Sequence, residues 1–311
     1  MNNRVVVLGS CNVCHVFTSP ELPSQGETLI GDDYHIVVGG KGSGQAVVAS
    51  RLGGDVFLLE RLGDDPYGRA EKRSYEELGL HTEFVLLDSE KPTGTAGIFL
   101  DANGQNKIVV IPGANAQVSC RDVDYFSETI RDAKILGAQL EVPLKTVDYA
   151  IRIASAMGVR TMLDPAPVAP IDASLYPHIS IIKPNEGEAQ ALTGIPAESP
   201  ESAIQAAHIL LDRGVREAVI ITLGEKGTVL VTREKELYFP GIPMEAVDTG
   251  GAGDTFAGAL LAALARDWSL EKAVCYAQCA SAICVTRKSS YSSTHKDEVD
   301  TLFRCKYPQY V

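Results

Sequence analysis

The chain has 311 residues, 45% of them hydrophobic, and its 40 acidic side chains outnumber the 28 Lys and Arg residues, which gives a net charge of −12. This length is enough for a sizeable core in one large α/β domain or two smaller ones. The acidic balance and the lack of a basic block argue against a nucleic acid or an anionic membrane as a partner. The seven cysteines favour reduced thiols, and no apolar run reaches the length of a signal peptide core or a membrane span, so we expect a cytoplasmic protein.

Short apolar runs rich in β-branched residues alternate with helix-compatible segments along most of the chain. This alternation is typical of a parallel sheet with helices on both faces. The predicted strands of this sheet are residues 4–9, 56–59, 135–140, 161–164, 179–182 and 218–223, with short edge strands at 228–232 and 236–239. The predicted helices are residues 46–52, 69–78, 121–132, 144–157, 200–213, 256–265, 270–286 and 296–304.

Two further strands interrupt the alternation. Residues 95–100 and 107–111 flank the Asn103-Gly104 pair, which is a strong hairpin signal. Paired strands without an intervening helix do not suit a doubly wound sheet. They predict a separate small sheet, although a surface hairpin without a special role stays open as an alternative.

The cysteine spacings favour structural thiols. Cys11 and Cys14 could form a redox pair or half of a zinc site, but no second such pair follows, so we interpret them as unlinked thiols. Cys275 and Cys279 lie four residues apart on a predicted helix and are interpreted as core thiols on one face.

The glycine-rich run at residues 38–46 is not a common nucleotide motif. Lys41 is followed by Gly42 where a phosphate-binding P-loop needs Ser or Thr, and no G-x-G-x-x-G fingerprint of a dinucleotide oxidoreductase is present. By itself, the run predicts a flexible turn before a helix.

A second glycine-rich run, residues 247–261, contains the candidate catalytic residues. The amides of Gly251, Ala252 and Gly253 would open a helix, and amides at a helix N-terminus attract anions. A carboxylate at such a site makes sense if Asp254 accepts a proton from a hydroxyl group that attacks a bound phosphate. The alternative is that Asp254 only caps the helix.

The run at 247–261 resembles the C-terminal signature D-T-x-G-A-G-D of the ribokinase (PfkB) family of sugar kinases, and residues 39–46 resemble its N-terminal motif G-G-K-G-x-N-Q-A. The resemblance covers about residues 4–304. It implies a three-layer α/β/α fold, doubly wound around a mostly parallel sheet, in a single domain over residues 1–311. It also implies a small β-sheet lid from about 13–38 and 94–112, through which two subunits commonly pair.

The reaction implied by the resemblance is transfer of the γ-phosphate of ATP to a primary hydroxyl of a small sugar, with ribose as the best guess. Asp254 would be the base, and the amides of Gly251, Ala252 and Gly253 would stabilise charge. The implied sugar-binding residues are Asn12, Cys14, Gly40, Lys41, Gly44, Glu141 and Asp254. The family usually has Asp at position 14 and Asn at position 44, so two side chains that bind hydroxyls are missing here.

The resemblance also implies sites for ATP and metal ions. The implied ATP-binding residues are Asn185, Thr222, Gly224, Gly227, Gly253 and Gln278. Glu188 would hold Mg²⁺ through water, although Asn and Glu at this spacing can also cap a helix, the role we prefer for Glu186. The implied monovalent cation site, expected to hold K⁺, comprises Asp248, Gly250, Cys284, Arg287, Ser289 and Ser293.

Two alternatives stay open within this family. One is a homologue that senses sugars without catalysis, against which Asp254 and the intact glycine run argue. The other is a nucleoside kinase or another PfkB-type kinase. A dinucleotide oxidoreductase would share the fold class, but the chain lacks its fingerprint.

Overall fold

The computed structural model describes residues 2–288 and 294–310. Its strands are β1 (Arg4–Leu8), β2 (Asn12–Ser19), β3 (Asp33–Gly39), β4 (Asp55–Gly63), β5 (Val85–Asp88), β6 (Gly94–Asp101), β7 (Asn106–Ile111), β8 (Ile135–Ala138), β9 (Arg160–Leu163), β10 (Ile181–Ile182), β11 (Ala218–Thr222), β12 (Gly227–Val231) and β13 (Glu236–Pro240). Its α-helices are α1 (Lys41–Arg51), α2 (Pro66–Glu77), α3 (Cys120–Arg131), α4 (Leu144–Ala156), α5 (Glu186–Thr193), α6 (Pro200–Asp212), α7 (Ala252–Ala265), α8 (Leu270–Cys284) and α9 (Lys296–Lys306). None of these helices is long and apolar enough to cross a membrane.

The larger sheet has nine strands in the order β13-β12-β11-β10-β9-β8-β1-β4-β5. All neighbours from β11 to β5 pair in parallel, whereas β12 and β13 are antiparallel at one edge. Strand β1 is an interior strand, with β4 and β5 added on one side of it and β8 to β13 on the other. The predicted doubly wound, mostly parallel sheet is confirmed.

Both faces of the larger sheet are buried under helices. Along β1, Val5 and Val7 point into one hydrophobic core, and Val6 and Leu8 point into the other. The first core is closed by α1, α2, α7, α8 and α9, and the second by α3, α4, α5 and α6. Since successive side chains of a strand face opposite sides, a strand buried on both sides needs an unbroken apolar run. The predicted three layers are confirmed.

The smaller sheet has the order β3-β2-β6-β7 and is called the lid below. β2 pairs in parallel with β6, and the other two pairs are antiparallel. The hairpin of β6 and β7 therefore belongs to a sheet of its own, as the sequence predicted. The single-domain organisation over residues 1–311 stays a prediction.

Some elements differ from the sequence predictions. Helix α1 begins at Lys41 rather than at residue 46, so its first turn is the glycine-rich run itself. Helix α7 likewise begins at Ala252. Strand β5, of 4 residues, was not predicted. The start of α5 was indicated only by the possible helix cap at residues 185–188, because a helix of 8 residues is too short to show a clear period.

Candidate active site

The carboxyl ends of the parallel strands meet at one edge of the larger sheet, where open α/β folds place their ligands. Polar side chains follow several of these strands. They are Ser10 after β1, Gln139 and Glu141 after β8, Asp164 after β9 and Lys183 after β10. The topology therefore collects polar groups that are far apart in the sequence.

Helix α1 reaches this edge because two glycines let the backbones cross. A Cβ atom on Gly42 would lie 2.2 Å from the Cα of Gly9, and a Cβ on Gly9 would lie 2.3 Å from the Cα of Gly42. No real Cβ approaches a backbone atom so closely, so both positions require glycine. The crossing brings Lys41 and Gln45, on the first turns of α1, to the carboxyl end of β1.

Asp254 lies in the first turn of α7 but does not cap the helix. The N-cap residue is Gly251, at φ 73°, and no side chain makes a capping hydrogen bond. Oδ1 of Asp254 instead accepts a hydrogen bond of 3.1 Å from Nε2 of Gln45. The alternative role of Asp254 as a simple cap is therefore wrong.

Burial raises the pKa of the Asp254 carboxyl to about 6. The positive charge of Lys41 acts in the opposite direction, the negative charge of Asp164 adds to the rise, and the hydrogen bond from Gln45 and the charge of Lys183 lower the pKa. A carboxyl whose pKa lies just below neutrality is ionised at pH 7 and still basic enough to accept a proton. The surroundings of Asp254 therefore suit a general base.

A buried polar network underlies Asp254. Nε2 of Gln45 also donates to Oδ2 of Asp164 at 2.8 Å, and Oε1 of Gln45 accepts from Nε2 of Gln139 at 2.7 Å. The ammonium of Lys183 lies 3.3 Å from Oδ1 of Asp164, and both of these side chains are about 3% exposed. Sequence reasoning assigned no role to these four supporting residues. Their only signal was the occurrence of polar side chains in the glycine motif and after apolar strands.

The N-terminus of α7 offers backbone donors beside the carboxylate. Among the described residues, the amides of Gly251, Gly253 and Asp254 have no backbone acceptor, whereas the amide of Ala252 donates to the carbonyl oxygen of Thr249 at 3.3 Å. The amide of Ala252 is thus engaged within the loop, and its expected role in anion binding stays a prediction. The remaining amides and the helix dipole still attract an anion at this point.

The predicted sugar residues from the N-terminal half lie on the same edge. Oε2 of Glu141 accepts from the backbone amide of Lys41 at 2.9 Å and from Oγ of Ser10 at 2.5 Å. Burial by itself would lower the pKa of the Lys41 ammonium. The surrounding carboxylates, of which Asp254 has the largest effect, outweigh burial and raise this pKa. Lys41 therefore stays charged beside Asp254. Gly40, at φ 103°, precedes it in a conformation that favours glycine.

The departures from the family motif lie at this edge as well. Burial, reinforced by the negative charge of Glu141, raises the pKa of the Cys14 thiol, so Cys14 is neutral at pH 7. Its Sγ is 3.9 Å from the carbonyl oxygen of Asn12, which is a weak contact. Gly44 is buried in α1 and has no side chain to offer. Cys11 and Cys14 are both free thiols, and so are Cys275 and Cys279, as the sequence predicted.

A cleft of about 990 Å³ opens next to the N-terminus of α7. Every residue predicted to bind ATP lines it: Asn185, Thr222, Gly224, Gly227, Gly253 and Gln278. Nε2 of Gln278 donates to the carbonyl oxygen of Pro240 at 2.7 Å, which ties α8 to the end of β13. The cleft is large enough for a nucleotide.

Asn185 and Glu188 form a capping box at the start of α5. The side chain of Asn185 accepts from the amide of Glu188 at 2.8 Å, and Glu188 accepts from the amide of Asn185 at 2.8 Å. The preference for Glu186 as the capping residue is therefore wrong, since Glu186 instead pairs with Lys226 at 3.3 Å. Burial, reinforced by the negative charge of Asp164, raises the pKa of the Glu188 carboxyl.

The predicted monovalent cation site is only partly described. Oδ1 of Asp248 accepts from the amide of Gly250 at 2.8 Å, and Sγ of Cys284 lies 4.0 Å from the carbonyl oxygen of Gly250. The guanidinium of Arg287 pairs with Glu298 at 2.6 Å. Ser289 and Ser293 lie outside the described residues. Within residues 2–288 and 294–310, no group of three or more His, Cys, Asp or Glu side chains could hold a metal ion by itself.

Comparison with known proteins identifies the family. The chain matches the pfkB family carbohydrate kinases over residues 2–297. It is 39% identical to a ribokinase of Haemophilus influenzae over 94% of this chain and 95% of the relative, and 36% identical to a deoxyribokinase of Salmonella typhi over 93% and 94%. The structure of an Arabidopsis thaliana ribokinase complexed with ribose and ATP matches with a TM-score of 0.90 at 32% identity, covering 98% of this chain and 99% of that one. This chain belongs to the PfkB family of carbohydrate kinases.

As a PfkB carbohydrate kinase, the chain has the activity class and the fold that its motifs predicted. A Thermotoga maritima ribokinase structure agrees, with a TM-score of 0.88 at 32% identity over 96% of this chain and 99% of that one. The two family motifs meet in space, because Gln45 from the first donates a hydrogen bond of 3.1 Å to Asp254 of the second.

Proposed function

We propose that this kinase transfers the γ-phosphate of ATP to the primary hydroxyl of a pentose, with ribose or a close relative as the best guess. The observation that carries the proposal is the position of Asp254. Its carboxylate accepts a hydrogen bond from Gln45 of α1, the helix that also carries Lys41, and it lies in the first turn of α7, where Gly253 lines the large cleft. A sugar hydroxyl on one side and a phosphate on the other would therefore meet at this carboxylate.

In this mechanism Asp254 accepts the proton of the attacking hydroxyl. The amides of Gly251 and Gly253 stabilise charge on the transferred phosphoryl group, because they are fixed donors in a partly dehydrated site. Lys41 keeps the Asp254 carboxylate ionised and adds positive charge beside the reacting atoms. Asn12, Lys41 and Glu141 hold the sugar.

We assign ATP to the cleft lined by Asn185, Thr222, Gly224, Gly227 and Gln278. Glu188 and its neighbour Asp164 fit a hydrated Mg²⁺ ion, since Mg²⁺ prefers oxygen ligands and keeps several waters. When bound, Mg²⁺ supplies positive charge at the phosphates. K⁺ is proposed at the loop of Asp248 and Gly250 behind the N-terminus of α7.

We also propose a homodimer formed through the lid. One face of the lid is apolar and open, and we call it the aromatic face; it is formed by Phe17, Tyr34, Ile36, Phe99 and Val109, which are 39–60% exposed. Strand register places these residues on the same side of the sheet. A contiguous apolar patch of this kind usually marks an interface. The cytoplasmic location stays a prediction, supported by the free thiols and by the proposed use of ATP.

The test is a kinase screen that couples ADP release to a spectroscopic signal, over pentoses, deoxypentoses, ketohexoses and nucleosides. We expect ADP release that depends on a pentose, with the phosphate found on its primary hydroxyl. The Asp254→Asn protein is the matched control for contaminating kinases. Sugar binding without ADP release would favour a sensor, and a preference for nucleosides would favour a nucleoside kinase.

A further inference from the structure

Asn115 is a buried residue outside the predicted site that contacts one of its residues. It lies in a short 3₁₀ turn, Gly113–Gln117, that follows the lid, and its side chain is 1% exposed. Its Oδ1 accepts from the backbone amide of Cys11 at 3.0 Å, and its Nδ2 donates to the carbonyl oxygen of Cys11 at 2.8 Å. The same Nδ2 donates to Oδ1 of Asn12 at 3.0 Å.

These contacts determine which way both amides point. The backbone amide of Cys11 can only donate and its carbonyl can only accept, so the Asn115 amide has one orientation that satisfies both. Nδ2 of Asn115 therefore has to be the atom that faces Asn12. Because that atom donates, Asn12 must turn its own Oδ1 toward it, and Nδ2 of Asn12 is left for another partner.

Gly94 packs closely against both amides. A Cβ atom on Gly94 would lie 2.2 Å from Nδ2 of Asn115, 2.5 Å from Oδ1 of Asn12 and 2.6 Å from the carbonyl oxygen of Cys11. Gly94 pairs with Asn12 across β6 and β2, so the lid closes over this contact. Among the described residues no protein group accepts from Nδ2 of Asn12, although the side chain is only 7% exposed.

We propose that Asn115 is a positioning residue for the sugar, which holds Asn12 so that Nδ2 of Asn12 donates to a sugar hydroxyl oxygen. This inference rests on the proposed sugar-binding role of Asn12. It divides the site by chemistry: Asn12 contributes its Nδ2 as a donor, and the carboxylates of Glu141 and Asp254 accept the hydroxyl protons. The neutral thiol of Cys14 adds no strong acceptor.

The experiment measures kcat and the KM values for sugar and ATP in the wild type, Asn12→Ala, Asn115→Ala and the double variant. We expect Asn115→Ala to raise the sugar KM about tenfold, as for the loss of one buried hydrogen bond, with kcat and the ATP KM changed much less. We expect the double variant to be no worse than Asn12→Ala alone, because Asn115 acts through Asn12.

Thr146→Val is the control for a purely structural loss near the same turn. Oγ1 of Thr146 is buried and donates to the carbonyl oxygen of Val118 at 2.9 Å, so its removal also strips a backbone group of its partner. We expect this variant to unfold at a lower temperature and to keep the wild-type sugar KM. If Asn115→Ala does not fold, Asn115→Asp replaces it as the test variant, because Asp has nearly the same volume as Asn and keeps an acceptor for the Cys11 amide. It loses the donor toward Asn12, and we expect its sugar KM to rise as well.

Two results overturn the inference while leaving the proposed function intact. One is an active enzyme in which Asn12→Ala raises the sugar KM but a folded Asn115→Ala or Asn115→Asp protein does not. The other is a double variant whose loss is the product of the single losses. A wild type that phosphorylates no sugar overturns the proposed function and, with it, this inference.

Discussion

The side-chain amide of Gln45 donates a hydrogen bond of 3.1 Å to the carboxylate of Asp254, 209 residues further along the chain. The same nitrogen donates to Asp164, and the amide oxygen is held by Gln139. Gln45 therefore cannot rotate without breaking several buried hydrogen bonds. It is a fixed donor that favours the ionised form of Asp254, which burial disfavours.

We predict that kcat/KM falls as the pH drops through about 6, the pKa of Asp254. The sign follows from the chemistry, because the carboxyl group is protonated below its pKa and can no longer accept a proton. Gln45→Met removes a hydrogen bond that lowers this pKa, so the acid limb should move to higher pH. A pH profile of kcat/KM for both proteins tests this, and an unchanged limb in a folded Gln45→Met protein would contradict it.

Asp254→Asn should reduce turnover by at least ~100-fold, in the range expected for loss of a general base, while the ATP KM changes only a few-fold. The substitution keeps the shape of the side chain and removes its basicity. Steady-state kinetics with the best sugar measure the effect. Turnover near the wild-type rate would mean that another group accepts the proton.

Activity should be higher with K⁺ than with Na⁺ or without an added monovalent ion. The reason is the proposed cation site at Asp248 and Gly250, directly before the N-terminus of α7, where a bound cation would strengthen the attraction for phosphate. Initial rates in matched chloride salts provide the measurement, with a bulky organic cation to control for ionic strength. Equal rates in all salts would contradict the proposed K⁺ site.

The sugar specificity should shift when the two family side chains are restored. A buried ribose hydroxyl that lacks its partners at Cys14 and Gly44 loses about 1–3 kcal/mol for each. The double variant Cys14→Asp with Gly44→Asn should therefore raise kcat/KM for ribose and lower it for the best substrate found by screening. If the wild type already prefers ribose to every other sugar with a micromolar KM, the two positions do not set specificity.

The quaternary structure should depend on the aromatic face of the lid. Phe99 and Val109 are 39% and 60% exposed. The double variant Phe99→Lys with Val109→Lys should be a monomer, because dimer formation would bury the two new charges in an apolar interface. Analytical ultracentrifugation of both proteins gives the masses. As a control, Tyr125→Lys changes an exposed aromatic residue on α3, away from the lid, and should leave the mass unchanged. A wild-type protein that sediments as a monomer would refute the proposed dimer.

Local patterns predicted most of the elements, and the resemblance of two glycine-rich motifs to a known family supplied the reaction class. Runs such as Val5–Leu8 had to be buried on both faces, because they offer no polar side, and this indicated a parallel sheet between helices. The glycines around Lys41 and Asp254 were informative for a similar reason, since close backbone contact leaves little choice of residue. Strand β5 was missed, and α5 was indicated only by its possible cap, because a helix of 8 residues shows no clear period.

The sequence by itself determined the layers of the fold, the family and the two ends of the catalytic centre. Only the tertiary structure decided how Asp254 is supported, because Gln45, Asp164 and Lys183 come from separate βα units and meet where their strands end. It also showed that Asp254 does not cap α7, and that Asn115 donates a hydrogen bond to Asn12. Hydrogen bonds between residues a hundred positions apart leave no periodic trace in a sequence, since their geometry exists only after the sheet and the lid have formed.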